Sequence, residues 1–401
     1  MSLFSAVEMA PRDPILGLNE QFAADTNPRK VNLGVGVYFD DNGKLPLLQC
    51  VQAAEKALMA SPKPRGYLPI DGVAAYDAAV KRLVFGADAE VLKAGRVATV
   101  QGLGGTGALK IGADFLRRLN PGAKVLISDP SWENHRALFT QAGFEVGSYR
   151  YYDAASRRVD FDGMLADLQA AAPGTIVVLH ACCHNPTGYD LSAAQWDQVI
   201  AAVKARQLTA FLDMAYQGFG AGLAEDGAVV GKFVAAGLSF FVATSFSKSF
   251  SLYGERVGAL SVVCASKEEA DKVLSQLKIM IRTNYSNPPI HGATVVAMVL
   301  DSPELRAQWE QELAGMRTRI KAMRQQLVDG LKAAGVQQDM GFITTQVGMF
   351  SYSGLSKEQM QRLRSEFGVY GTDTGRMCVA ALNSKNIAHV CQAIAQVIKA
   401  A

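Results

Sequence analysis

The stretch TIVVLHACCHNPTGYDLSAAQWDQVIAAVKARQLTAFLDM, residues 175–214, decides the fold. Thr175 to His180 is a short apolar run followed by turn residues, and Thr209 to Met214 is a second such run. Both read as strands. Between them Ser192 to Arg206 is Ala-rich and amphipathic, which supplies a crossover helix. Strands joined through a helix lie parallel, because a parallel pair needs a long connection. Working outward, Val97 to Val100, Lys124 to Ser128, Phe240 to Ser245 and Val257 to Cys264 repeat the strand pattern. Gly107 to Leu119, Glu133 to Ala142 and Phe161 to Ala171 repeat the helical one. Strand, helix, strand repetition predicts an α/β fold with a mostly parallel central sheet flanked by helices.

From about Lys267 the pattern turns to long helices, including a charged stretch from Pro303 to Ala334. A smaller unit follows: strand at Met349 to Ser353, helix at Lys357 to Phe367, strand at Arg376 to Leu382, helix from Ser384 to Ala400. The N-terminal segment has its own strand-like run, Val31 to Phe39. Chain ends often lie close together. The expected division is therefore a large domain over residues 47–314 and a small α/β domain built from residues 1–46 and 315–401.

Composition bounds the function. With 401 residues, 49% of them hydrophobic, a large core is possible without disulfide or metal staples. No apolar run approaches the ~18 to 20 residues of a membrane helix. Lys plus Arg is 40 against 37 Asp plus Glu, a net charge of +3, which argues against nucleic acid or an acidic membrane surface as a partner. Charged residues are 19% of the chain, below the ~25% of a typical domain, and a partner-covered surface accounts for such a deficit. Six scattered cysteines with no CxxC pair, behind an N-terminus that lacks an apolar leader, suit a reducing cytoplasm.

The unusual residues fall directly after strands. QGLGGTGALK, residues 101–110, places Gly102, Gly104, Gly105, Thr106 and Gly107 at the start of a helix, where backbone N–H groups can approach a phosphate. It matches neither a nucleotide P-loop nor the GxGxxG fingerprint. SDPSWENH puts Trp132 and His135 past a proline turn, and ACCHNPTG puts Asn185 before a proline. The His and Cys cluster there has no second ligand pair at suitable spacing, so no metal site is expected. Asp213 and Tyr216 end an apolar strand, and a buried Asp needs a partner to offset its desolvation. SFSKSFSLYGERVG, residues 245–258, supplies Ser245, Ser247, Lys248 and Arg256. In a parallel sheet these five segments share the carboxyl edge, where α/β proteins bind ligands. A phosphate cradle, an aromatic plate, an Asn and Tyr pair, a buried Asp and a Lys together describe a site for pyridoxal 5′-phosphate.

These residues resemble the class I pyridoxal-phosphate-dependent aminotransferases, and most closely the bacterial aromatic amino acid and aspartate enzymes. NLGVGVY, GYLPIDG, GGTGAL, SDPSWENH, HNPTG, DMAYQGF, SFSKSFSLYGERVG, YSNPP and GRMCVA occur in the family's order along essentially the whole chain. The resemblance implies fold type I. It also implies that Lys248 is the covalent anchor and general base and that Asp213 pairs with the ring nitrogen with His135 behind it. Asn185 and Tyr216 would bond the ring oxygen, and Trp132 would stack on the ring. Gly105, Thr106, Ser245, Ser247 and Arg256 would hold the phosphate. Arg376 would clamp the substrate α-carboxylate bidentately, with Gly36 giving close approach, a task suited to a planar guanidinium. Trp132 and Asn185 would also face the substrate. Tyr67 and Arg282 would come from the partner of a homodimer, Tyr67 to the phosphate and Arg282 to a distal carboxylate.

Phe39 and the PRGYLPIDG context of Tyr67 resemble the aromatic-accepting branch, and Gly104 stands where many aspartate-selective relatives carry serine. The expected activity is transfer of the amino group of tyrosine, phenylalanine and aspartate to 2-oxoglutarate by a ping-pong route. The alternative is an enzyme with aspartate and 2-oxoglutarate as its main pair. A serine acyl enzyme is the rival from another class, since Ser245 to Lys248 spells S-x-x-K, but its companion S-D-N and K-T-G signals are missing.

Overall fold

The computed structural model describes residues 2–13 and 15–399. The chain divides into a larger unit, Leu45–Lys321 with Thr345–Gly348, and a smaller one, Met1–Lys44, Ala322–Thr344 and Met349–Ala401.

The larger unit is organised by seven strands: β1 (Val97–Leu103), β2 (Lys124–Asp129), β3 (Glu145–Arg150), β4 (Ile176–His180), β5 (Thr209–Met214), β6 (Phe240–Ser245) and β7 (Val257–Val263). Their spatial order is β1-β7-β6-β5-β4-β2-β3. The run from β6 to β3 is parallel, whereas β7 is antiparallel to both β1 and β6. The cause is local. Only a loop and one short 3-10 turn, Tyr253–Glu255, separate β6 from β7, so the chain returns beside the strand it has just left. Because β1 and β6 both oppose β7, six strands point the same way, and the five polar segments singled out above share one edge.

Residues of β6 and β7 are buried throughout and those of β4 almost throughout, as expected where helices cover both faces. Phe115, Phe139, Phe211, Phe241 and Leu260 form one face of the core. Strand β3 is missing from the sequence-based expectation. Its residues, EVGSYR, are mostly polar and only Tyr149 is buried, because an edge strand has one neighbour and an open side. The helix Pro303–Ala333 packs Trp309 against Phe250, with ring centroids 4.5 Å apart, and Trp309 Nε1 donates to the Ser249 carbonyl at 2.7 Å. That contact braces the loop between β6 and β7.

In the smaller unit, Val31–Asn32 pairs in parallel with Val369–Tyr370, which joins N-terminal to C-terminal sequence. Phe350–Tyr352 pairs antiparallel with Arg376–Cys378. The helix Lys357–Phe367 opens on a capping box, Ser356 with Gln359, and closes on Gly368 in the left-handed conformation. The run from Val31 is extended for only two residues, since Val37 N bonds the Val35 carbonyl and the chain turns among glycines. Strand pairing from Arg376 likewise stops at Cys378, where Val379–Ala381 forms a 3-10 turn. The last helix is Ile387–Lys399, and its expected end at Ala400 lies outside the described residues.

Candidate active site

Strand β5 carries Asp213 into the protein with only 6% of its surface exposed. Its Oδ2 lies 2.7 Å from His135 Nε2, and the other ring nitrogen of His135 lies 2.9 Å from Ser131 Oγ. His135 is fully buried in the first turn of the helix Glu133–Gln141, where its N–H bonds the Trp132 carbonyl and its ring meets Trp132 edge-on at 5.3 Å. Burial alone would raise the Asp213 pKa. The His135 hydrogen bond and charge, with smaller contributions from His180 and then Lys248, outweigh burial, so the net shift is downward and the carboxylate is ionised. His180, paired with Asp213 across β4 and β5, has its pKa lowered to about 3 by burial and by the neighbouring His135. It is therefore neutral, and the anion at Asp213 is available to a cationic ring nitrogen.

The candidate anion cradle forms where β1 enters the helix Gly104–Leu119. The helix has no side-chain N-cap, so no capping side chain competes with an anion for the first-turn N–H groups beyond Gly104. Gly104 N donates to the Arg256 carbonyl at 2.9 Å. Arg256, itself left-handed at φ 54°, holds Nη1 on the Tyr253 carbonyl at 2.7 Å and on Ser247 Oγ at 3.4 Å. Ser247 N in turn bonds Ser245 Oγ at 3.3 Å. Gly105 approaches Ser245 so closely that a Cβ on it would stand 3.1 Å from Ser245 Cβ. Thr106 follows in the same helical turn.

Lys248 Nζ lies 4.9 Å from the centre of the Tyr216 ring. Tyr216 and Asn185 are buried, and their loops are tied together by Cys183 Sγ, which donates to the Tyr216 carbonyl at 3.7 Å. The Asn185 loop is fixed from within. Asp190 accepts the backbone N–H groups of Cys183 and His184 at 2.7 and 2.9 Å, and His184 is held between Ser128 and Thr187 at 2.8 Å each. The nearby Cys182, Cys183 and Asp226 have metal-ligand spacing, but Asp226 already accepts the backbone N–H groups of Gly218, Gly220 and Ala221.

On the smaller unit, taken by itself, Arg376 is buried to 1% exposure and its Nη2 bonds the Gly34 carbonyl at 2.7 Å. Gly36 lies in the same loop. Tyr67 is 95% exposed, and Arg282, also exposed, donates to Ser286 Oγ near the end of its own helix. Among the described residues neither Tyr67 nor Arg282 makes a hydrogen bond or ring contact to the group around Lys248. The roles of Ser131, Gly258 and Phe350 are not read from the motifs. Gly258 had a usable signal, since it closes SFSKSFSLYGERVG, but only the packing shows its purpose. A Cβ there would stand 2.3 Å from Gly104 C, 2.4 Å from Gly104 O and 2.8 Å from Gly105 N.

These residues fit pyridoxal phosphate: an ionised buried carboxylate, an amine, an indole, a buried amide and phenol, and an anion cradle at one sheet edge. The family model for aminotransferase class I and II matches residues 28–394. The chain is 63% identical to the aspartate aminotransferase of Pseudomonas aeruginosa over 99% of its own length and 100% of that protein's. It is 52% identical to the aromatic-amino-acid aminotransferase of Escherichia coli, with the same coverage. Among solved structures, the aromatic-amino-acid aminotransferase of Burkholderia pseudomallei, covalently bound to pyridoxal phosphate, superposes with a TM-score of 0.97 at 67% identity, covering 99% of this chain and 100% of that one.

Two outcomes follow from the geometry. Gly258→Ala pushes methyl carbon into backbone that cannot give way, so titration of the apo chain with pyridoxal phosphate should show at least ~tenfold weaker binding, a loss of about 1.4 kcal/mol. His135→Leu leaves burial as the main influence on Asp213. A depressed carboxyl pKa adds stability above the ordinary range and loses it as pH falls through the native value. The parent should therefore be more stable than His135→Leu above pH ~4, with the gap narrowing in more acid, as read from urea midpoints across pH.

Proposed function

This chain belongs to the aminotransferase class I and II family, and we propose that it is a pyridoxal-phosphate-dependent enzyme of broad range, moving the amino group of tyrosine, phenylalanine and aspartate to 2-oxoglutarate. The observation that carries the reading is the meeting of Lys248, Asp213 and the Gly104 to Arg256 cradle at one sheet edge. Relatives named for aromatic and for aspartate transfer both match over their full length, which supports a range spanning the two. The relative at 63% identity is named for aspartate, and that favours the second reading, with aspartate as the main donor.

When bound, pyridoxal phosphate supplies an electron sink that makes the Cα proton of an amino acid removable. The chain does the rest. The Lys248 amine would anchor the group and, when freed, would serve as the base that moves a proton at Nζ. Asp213, kept ionised by His135, would pair with the ring nitrogen. Asn185 and Tyr216 would donate to the ring oxygen, and Trp132 would cover the ring. Gly105, Thr106, Ser245, Ser247 and Arg256 bind the phosphate and thereby set the ring's position. Arg376 takes the α-carboxylate common to every substrate, so transfer runs through one pose for amino acid and 2-oxo acid alike.

The proposal includes a homodimer in which Tyr67 and Arg282 complete the neighbouring site. Support comes from apolar side chains on the larger unit's surface: Leu47 at 64% exposure, Met59 at 82%, Tyr67 at 95% and Ile279 at 41%. Ile279 and Arg282 lie three apart on one helix, hence on one face. A cytoplasmic location belongs to the same reading, supported by six free cysteines, all buried, and by the lack of any membrane-length apolar helix among the described residues.

Activity assays with phenylalanine, tyrosine and aspartate against 2-oxoglutarate should give kcat/KM values within ~100-fold of one another, about 2.7 kcal/mol. A larger preference for aspartate rejects the broad assignment. The same holoenzyme should show visible absorbance that Lys248→Ala abolishes. Mixing Lys248→Ala with Arg282→Ala chains should restore activity, because one site of the hybrid receives both intact residues. No recovery after verified subunit exchange counts against a shared site.

A further inference from the structure

We propose that Phe350 is a positioning residue for the substrate α-carboxylate: its ring holds the Arg376 guanidinium in the plane that a bidentate ion pair needs, and Gly36 is glycine because that ring fills the space of a side chain. The proposal rests on the reading of Arg376 given above. Every group it uses lies within the smaller unit.

The strand register makes the contact. Tyr352 stands opposite Arg376 and Phe350 opposite Cys378, so Phe350 is the diagonal neighbour of Arg376 on the same face, within reach of an aromatic ring. Arg376 Cζ lies 4.4 Å from the Phe350 ring centroid. Both residues are buried, at 1% and 2% exposure, where attraction between a cation and a ring is least weakened by water. The backbone that carries the ring is itself anchored. Arg324, 2% exposed, donates Nη2 to the Phe350 carbonyl at 2.6 Å and Nη1 to the Ile343 carbonyl at 3.1 Å.

A Cβ on Gly36 would stand 2.7 Å from Phe350 Cζ. Any larger residue at position 36 would drive the ring off the guanidinium. Arg376 Nη2 is held by the Gly34 carbonyl at 2.7 Å, so the guanidinium is held at that nitrogen by the carbonyl and its carbon sits over the ring. A free arginine side chain loses several rotatable bonds when it binds a carboxylate. Here that loss is met before the substrate arrives, which strengthens binding without any added contact to the substrate.

The test uses holoenzyme and 2-methylaspartate, which has the α-carboxylate but no α-hydrogen and so binds without completing transfer. Cofactor absorbance reads its Kd. Phe350→Leu should raise that Kd about tenfold, and the KM of amino acid and 2-oxo acid should rise together while kcat stays within about threefold. Site-specific 3,5-difluorophenylalanine at position 350 keeps the ring's shape and weakens its attraction for a cation, so it should raise Kd about threefold. This second variant decides the matter even where Phe350→Leu fails to fold. A difluoro chain that binds like the parent overturns the proposal, since shape is then the whole role of the ring. Arg376→Lys separates the two readings: if it also binds like the parent, the reading of Arg376 fails and this proposal with it, whereas a loss there with none in the difluoro chain overturns this proposal alone.

Discussion

The rest of the site depends on a carboxylate that stays charged in a place where charge is costly. Asp213 is buried at the end of β5, and moving an ion out of water costs several kcal/mol unless a partner compensates. His135 is that partner, backed by Ser131, and both follow β2, Ser131 in the turn and His135 at the start of the next helix. The electrostatics therefore require two strand ends, β2 and β5, to be held in register through β4, which lies between them. Neutral His180 beside the pair adds bulk and no competing charge. A site of this kind cannot be built on a single loop, because the acid and its support come from different parts of the chain.

Space is the second constraint, and glycine answers it in both units. Gly258 lets β7 press against the Gly104 and Gly105 backbone, and Gly36 leaves room for the Phe350 ring. In each case the glycine serves a neighbour and touches no ligand through a side chain. The two anion-directed arginines are also fixed before any ligand arrives, Arg256 by Tyr253 and Ser247, Arg376 by Gly34 and Phe350. Pre-set guanidinium planes and pre-set backbone N–H groups share one logic: the cost of ordering is met in folding.

How much of this was legible in the sequence depends on whether the deciding contacts are local. The central strands announce themselves as apolar runs because both faces are covered, and the polar segments that follow each run are adjacent in sequence, so the sheet edge could be assembled on paper. Strand β3 could not, since EVGSYR lies at the border of the sheet with its polar residues in water. The run from Val31 and the one from Arg376 looked longer than they are, because apolar composition does not register a turn made by backbone hydrogen bonds such as Val37 to Val35. The purpose of Gly258 and of Phe350 was hidden for a further reason. Their importance lies in distances to residues remote in sequence, Gly104 for one and Gly36 for the other, and no periodicity encodes those.

The antiparallel β7 has a consequence for how the chain comes to be competent. Gly258 stands in one row with Gly102 of β1 and Ser245 of β6, so the cradle's floor is a three-strand object whose outer members are distant in the chain. During synthesis the glycine-rich turn precedes β7, the strand that packs against it, by more than a hundred residues. Pairing segments so remote in sequence carries a loop-closure cost that slows folding. The phosphate site is thus a property of the completed sheet, and a ligand that requires it acts as a proofreader of folding, stabilising only chains whose central strands have closed in the right register.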